Sequence, residues 1–302
     1  MPLVADRKTG LTLFCLTALY MTWGMVYLSI RFALESFPPV MLSGIRYMSA
    51  GSIFLIWTFL VKKDKKLPSK KDIITSFVTS LFMIVISGAF LNISGVYIDS
   101  GTVALIMGSI PMWIVLVSWL KGYDKRPSFS VFIGLAGGFI GVAALAVSTG
   151  ITGGKNSVLG IIAIFISIAG WVAGSLYVKG THTDMPIIKS LGFQMTIGGV
   201  IMLLISALIG EWSSFHVEDV TLKSFLSGLH LIFFGSIVGY VCYIWLLYNT
   251  PTPIAISYAY AEPVVAVIAG AVFAGEKIGG VTVAACVLII ASVFFVIKGG
   301  NR

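Results

Sequence analysis

The sequence predicts an all-α membrane protein: ten transmembrane helices in two inverted five-helix repeats. Three observations predict it. Of 302 residues, 58% are hydrophobic and 11% charged, with a mean hydropathy of +1.01. A water-soluble domain is nearer a quarter charged, so this chain has too little polar surface to cover a globule in water. Ten apolar runs approach the roughly 20 residues that a helix needs to cross a bilayer. The chain also repeats itself about its middle. From Pro111 it reads PMWIVLVSWLKGYDK and from Pro263 PVVAVIAGAVFAGEK, and Pro111/Pro263, Asp124/Glu276 and Lys125/Lys277 are each 152 residues apart.

The runs place spans at 11–30, 39–61, 73–94, 101–120, 129–148, 158–178, 189–209, 225–248, 252–273 and 279–297. Connections are short, as compact helical packing requires. The longest polar one, 211–224, reads as a short amphipathic piece on the membrane surface. No separate soluble domain is expected. The apolar run from Leu11 is too long for a cleavable signal and is followed by no small-residue cleavage site. Cys15, Cys242 and Cys286 fall inside apolar runs with no metal or redox spacing, and read as small core residues.

The repeat extends beyond the proline segments. Trp23 is followed eight residues later by Arg31, and Trp171 eight residues later by Lys179. That offset of 148 also carries Arg46 onto Gln194. The division expected is 1–150 for the first five helices and 151–302 for the second. An odd number of helices per copy turns the second copy upside down, which gives a pseudo-twofold axis in the membrane plane. A broken helix in each copy is the sequence pattern of a secondary transporter.

Positive charge orients the chain. The net charge of +8 would point a soluble protein toward nucleic acid, but here the lysines lie mostly in short loops. With the N-terminus inside, the inner side collects Arg7, Lys8, the lysines of 62–71, Lys121, Lys125, Arg126, Lys179, Lys189, Lys298 and Arg302, 15 in all. The outer side collects Arg31, Lys155, Lys223 and Lys277, which makes 4, and Arg46 lies within a span. Both termini are therefore expected in the cytoplasm of a multi-pass cell (plasma) membrane protein. Gly134/Gly138, Gly137/Gly141, Gly170/Gly174 and Gly235/Gly239 form GxxxG pairs. They read as close helix packing within one bundle, or alternatively as a sliding or dimer surface. The expected state is a monomer or weak homodimer.

The stretch SYAYAEPVVAVIAGAVFAGEKIGGVTVAACVLIIASVFFV resembles the second half of EamA-type transporters of the drug/metabolite transporter superfamily. Those proteins carry an EP element in the ninth helix, a GE turn and a Gly/Ala-rich tenth helix. Trp23-Gly24, Arg46 and Ser109-Ile110-Pro111 fit the first half. One departure is Tyr123-Asp124, where the family usually has Gly-Glu. The resemblance spans nearly the whole chain. It implies five plus five inverted helices, a central cavity and export of small metabolites, often amino acids.

Site candidates are the residues that hydrocarbon tolerates poorly. Glu262 sits about 15 Å along its helix at ~1.5 Å per residue, near mid-bilayer. An ionisable group there costs ~3 kcal/mol or more and normally faces a cavity or a partner. It reads as a proton or substrate-amine site, or as a carboxylate satisfied locally at Pro263 or paired with Arg46. Arg46, about 10 Å into its helix by the same rise, can receive a substrate carboxylate through its fork, snorkel to the interface, or pair with Glu262. If both line one cavity, they can bind opposite ends of a zwitterion. Trp23, Trp171, Tyr258 and Tyr260 are the aromatic candidates for a binding wall, among a wider set including Tyr20, Trp113, Tyr240, Tyr243 and Trp245. Pro111 and Pro263 are expected to interrupt their helices as flex points. Asn92 reads as an interhelical hydrogen bond and His230 as interfacial.

The function expected is a secondary transporter, acting by alternating access, that moves a small organic metabolite such as an amino acid, with export the expected direction. Its partners are the small-molecule substrate and the lipid bilayer, with protons as a candidate coupling ion and no nucleic acid. A proton-independent facilitator or channel is the alternative. A membrane enzyme fits poorly. There is no HExxH or GxSxG, and GGKNS at 153–157 lacks the pattern of a phosphate loop. No catalytic residue, metal or cofactor is expected.

Overall fold

The computed structural model describes residues 2–122, 128–152, 155–181, 185–250, 258–275 and 277–300. Among these, helices lie where the apolar runs are. They are α1 (Pro2–Ala33), α2 (Pro39–Val61), α3 (Lys70–Tyr97) and α4, which is divided into Ser100–Met107 and Ile110–Leu120. The second half has α5 (Phe129–Thr152), α6 (Lys155–Gly180), α7 (Ile187–Leu208), α8 (222–249), α9 (Tyr258–Ala274) and α10 (Gly280–Gly300). In six of them the apolar part is long enough to cross a membrane; α4, α5, α9 and α10 hold shorter apolar helices among the described residues. Large apolar side chains such as Phe14, Leu204, Leu208 and Val272 are exposed, as lipid-facing positions require.

Local chemistry sets the helix ends. Pro39 opens α2 at a position whose N–H would have no helical partner. A capping box opens α3: the Ser69 hydroxyl accepts from Asp72 N, and the Asp72 carboxylate accepts from Ser69 N at 2.9 Å. The Thr221 hydroxyl accepts from Ser224 N at 3.1 Å at the start of α8. Gly210, at φ +82°, ends α7 in the left-handed conformation open to glycine. The 211–224 connection contains a short helix, Glu211–Ser214, and one 3₁₀ turn.

Three stretches widen into π-helix: Trp57–Val61 in α2, Leu81–Ile86 in α3 and Leu231–Val238 in α8. The latter two begin 150 residues apart, at corresponding places in the two sequence halves. No proline or glycine pattern announces them. Such segments are uncommon and gather at functional sites.

The chain forms two compact units, and neither coincides with a sequence half. One comprises 1–28, 100–148 and 237–302; the other comprises 29–99 and 149–236. In the second unit α2 packs along α7. A Cβ at Gly44 would stand 2.8 Å from Leu203, and one at Gly192 would stand 2.8 Å from Leu55. A Cβ at Gly51 would meet the backbone of Thr196, and one at Gly199 the backbone of Met48. Adding 148 to 44, 48, 51 and 55 gives 192, 196, 199 and 203. The sequence offset therefore carries each contact onto another contact of the same pair. Gly170 and Gly174 of α6 press on Phe82 and Met83 in the π segment of α3, and Ser87 and Ser167 hydrogen-bond between these helices.

The ends of this second unit are tied by carboxylates. Glu211 accepts from Val40 N at 3.1 Å and Met41 N at 2.7 Å, and so caps α2. At the same end Arg31 pairs with Asp99 and Lys223 with Glu35. At the other end Lys189, buried at the start of α7, donates to Asp64 at 2.9 Å and to the Lys66 carbonyl. In the first unit α9 packs on α10 and on Ser100–Met107. Gly137, Gly138 and Gly141 of α5 admit Ser292, Leu288 and Ile289 of α10. Cys15 on α1 and Cys242 on α8 are free and buried.

Candidate functional site

In the first unit, Glu262 is 6% exposed on α9 and accepts a hydrogen bond from the hydroxyl of Tyr27 on α1. Tyr27 follows Trp23 by four residues, so the two share one face of α1. Trp23 lies at the centre of an aromatic group. Its ring is 5.0 Å from Tyr258, 5.3 Å from Tyr243 and 5.7 Å from Tyr240, and the Tyr258 and Tyr240 contacts are edge-to-face. Tyr243 and Tyr258 pack edge-to-face at 5.6 Å. Two glycines make this arrangement possible. A Cβ at Gly239 would overlap the Trp23 indole, and one at Gly24 would stand 2.6 Å from Val265 and 3.3 Å from the Glu262 carbonyl. A carboxylate with one hydroxyl donor beside aromatic rings can hold a proton or an ammonium group, whose charge the ring faces also attract.

In the second unit, Arg46 is 5% exposed. Its Nε donates to Ser236 Oγ at 2.8 Å, and its guanidinium lies 4.8 Å from the ring centre of Tyr47. Ser236 belongs to the π segment of α8, just after His230. The His230 ring stacks on Phe234 and its Nδ1 bonds Ser29 Oγ at 2.9 Å. His230 is thus held in place within this cluster. Asn92 joins α3 to α2, donating to the Pro39 carbonyl and to Ser43 Oγ. Trp171 is buried on α6 in this unit.

Trp23, Tyr258 and Glu262 are brought together within one unit; Arg46 and Trp171 belong to the other. Tyr260 lies on α9 but its side chain is outside those described, as are Asp124 and Glu276. Over its described residues α9 runs without division from Tyr258 through Pro263 to Ala274; residues 251–257, before it, lie outside those described. The division of α4 does fall at the proline element. Gly108 and Ser109 separate its two pieces, Pro111 enters at the first turn of the second piece, and the Ser109 hydroxyl bonds the Ile106 carbonyl at 2.6 Å. Tyr27 and Ser236 are the contributors not foreseen from sequence. The four-residue spacing from Trp23 was the available signal for Tyr27, and Ser236 had none.

Long apolar helices around isolated buried charges and aromatic side chains define a multi-pass membrane protein built for solutes. Sequence comparison makes this specific. The EamA-like transporter family matches residues 8–147 and again 158–298, and the chain belongs to that family. It is therefore a membrane transporter and not an enzyme. It is 30% identical over 286 residues to the uncharacterized inner membrane transporter YedA of Escherichia coli (strain K12), covering 94% of this chain and 90% of that one. It is 27% identical over 286 residues to the uncharacterized transporter YvbV of Bacillus subtilis (strain 168), covering 94% and 91%. A solved crystal structure superposes with a TM-score of 0.67 over 97% of this chain and 98% of that chain; at 16% identity this shows a shared fold.

Proposed function

We propose that this chain is a secondary transporter that exports a small organic metabolite, an amino acid or related solute, by alternating access. The observation that carries the reading is the buried Glu262, held by Tyr27 beside the Trp23–Tyr240–Tyr243–Tyr258 group in a chain of transporter ancestry. Glu262 binds the amine of the solute or the coupling proton, and the aromatic rings supply the wall. The division of α4 before Pro111 is a flex point for gating. The contacts of α2 with α7, exchanged under the 148-residue offset, support two inverted five-helix repeats divided near residue 150.

Both termini are cytoplasmic in this reading, and the inner membrane location of YedA supports the cell membrane for this chain. Residues 62–71 and Lys189 lie at one end of their unit, and Arg31, Glu211 and Lys223 at the other. That grouping agrees with the charge pattern. Impermeant thiol labelling in intact cells should reach Ser214→Cys and not Lys65→Cys; the reverse pattern overturns the orientation.

The deciding experiment is counterflow in proteoliposomes. Purified protein is loaded with a pool of unlabelled amino acids and offered the same pool labelled, with and without a pH gradient. Saturable uptake with transient overshoot supports a carrier. Non-saturating flux without counterflow would make it a channel, and the carrier reading fails. Abolition of pH-driven flux by Glu262→Gln, with exchange spared, assigns the proton to Glu262.

A further inference from the structure

Arg46 is a buried cation whose hydrogen-bonding capacity is largely unused. A guanidinium offers five N–H donors in a planar fork and stays protonated. Among the described residues only Nε is engaged, by Ser236, and the guanidinium also lies over the ring of the neighbouring Tyr47. Among the described residues no carboxylate pairs with it. Within a membrane span, a charge left in this state usually faces a solute or ion. The two terminal nitrogens are the pair that grips a carboxylate with two parallel bonds.

The surroundings are built to hold that fork still. Tethering Nε to Ser236 fixes the guanidinium plane and leaves Nη1 and Nη2 open. Ser236 sits in the π-helical segment Leu231–Val238, whose wider turn sets where its hydroxyl points. Six residues earlier on the same helix, His230 is held by its stack on Phe234 and by the bond of Nδ1 to Ser29, which leaves Nε2 as the ring nitrogen without a partner among the described residues. His230 lies within electrostatic range of Arg46.

We infer that Arg46 docks the carboxylate of the solute, with Ser236 positioning the guanidinium and His230 Nε2 as a second polar contact. The substrate class is an organic acid or a zwitterion with a free carboxylate, as opposed to an amide, an ester or a purely cationic solute. This rests on the reading of the chain as a carrier of small organic solutes, and its test needs no transport.

The test is phenylglyoxal labelling of the purified full-length protein, followed by mass spectrometry of the peptide that carries Arg46. Arg46 should be modified. Excess sodium benzoate should slow its modification about tenfold, as a bidentate charge-assisted pair predicts, while benzamide and sodium chloride at equal ionic strength leave it unchanged. Ser236→Ala, which frees Nε without removing the charge, should weaken the benzoate protection. An Arg46 that resists modification without benzoate is sealed from solutes, and the inference fails. It fails equally if benzamide or chloride protects as well as benzoate. Benzoate protection in a protein without counterflow would refute the carrier reading and leave the carboxylate site standing; counterflow without protection would do the opposite.

Discussion

Gly199→Ala tests whether the α2–α7 crossing is set by backbone approach. A Cβ at Gly199 would stand 2.6 Å from Met48 Cα and 2.7 Å from Met48 Cβ. Carbon atoms pack at about 3.5–4.0 Å, so the helices must separate by about 1 Å at that point. The obstructing atoms are largely backbone and cannot rotate away. Overpacking of this kind costs about 1–3 kcal/mol. Gly51→Ala should cost a similar amount, because its Cβ would meet Thr196 in the mirrored contact. The pair should be less than additive, since the first substitution already opens the crossing for the second. The control is Gly228→Ala on α8, where a Cβ meets nothing within 4 Å; it should stabilise by roughly 0.5–1 kcal/mol through helix propensity. Thermal unfolding of the purified proteins in one detergent reads all four variants. A neutral Gly199→Ala, or strictly additive losses, would refute the argument that contact between these backbones sets the crossing.

Three further outcomes follow from the hydrogen bonds. Tyr27→Phe removes the donor to Glu262 and should impair solute exchange in proteoliposomes with little change in Tm; unchanged exchange would remove Tyr27 from the site. Glu211→Ala uncaps α2 and leaves Val40 and Met41 N–H unsatisfied; it should cost about 0.5–2 kcal/mol in the same unfolding assay, and a neutral result would mean the loop contributes no cap. The bond from Lys189 holds the Asp64 carboxyl below the usual carboxylate range. A lowered folded value means that the pair stabilises the protein above about pH 4, the ordinary aspartate value, and that this stabilisation is lost as pH falls through the lowered one. Wild type should therefore outlast Asp64→Asn at pH 7 and the two should converge in strong acid; a gap independent of pH would assign the effect to something other than ionisation.

Much of the candidate site was legible in the sequence as residue types. Glu262 and Arg46 stood out because lipid penalises charge, and Trp23 and Tyr258 because they flank glycine and the Glu-Pro pair. Their partners were not legible. Tyr27 lies 235 residues from Glu262, and Ser236 lies 190 residues from Arg46; no local pattern links residues so far apart. Proline is a strong local signal, yet over the described residues α9 continues through Pro263 to Ala274. The π segments were missed because no proline or glycine pattern marks them in the sequence.

The sequence by itself determined the class of protein, the ten apolar runs and their order along the chain. A lipid core demands that each spanning segment satisfy its own backbone, so length and hydropathy suffice to find it. Its internal offset of 148 also aligns α2 with α7 in sequence. Only the tertiary structure decided which segments of the two halves pack into each compact unit, which hydroxyl holds Glu262, and that Arg46 keeps its terminal nitrogens open. Those outcomes depend on close packing between surfaces distant in sequence, where a glycine, a serine or a widened turn selects one neighbour among many that hydropathy cannot tell apart.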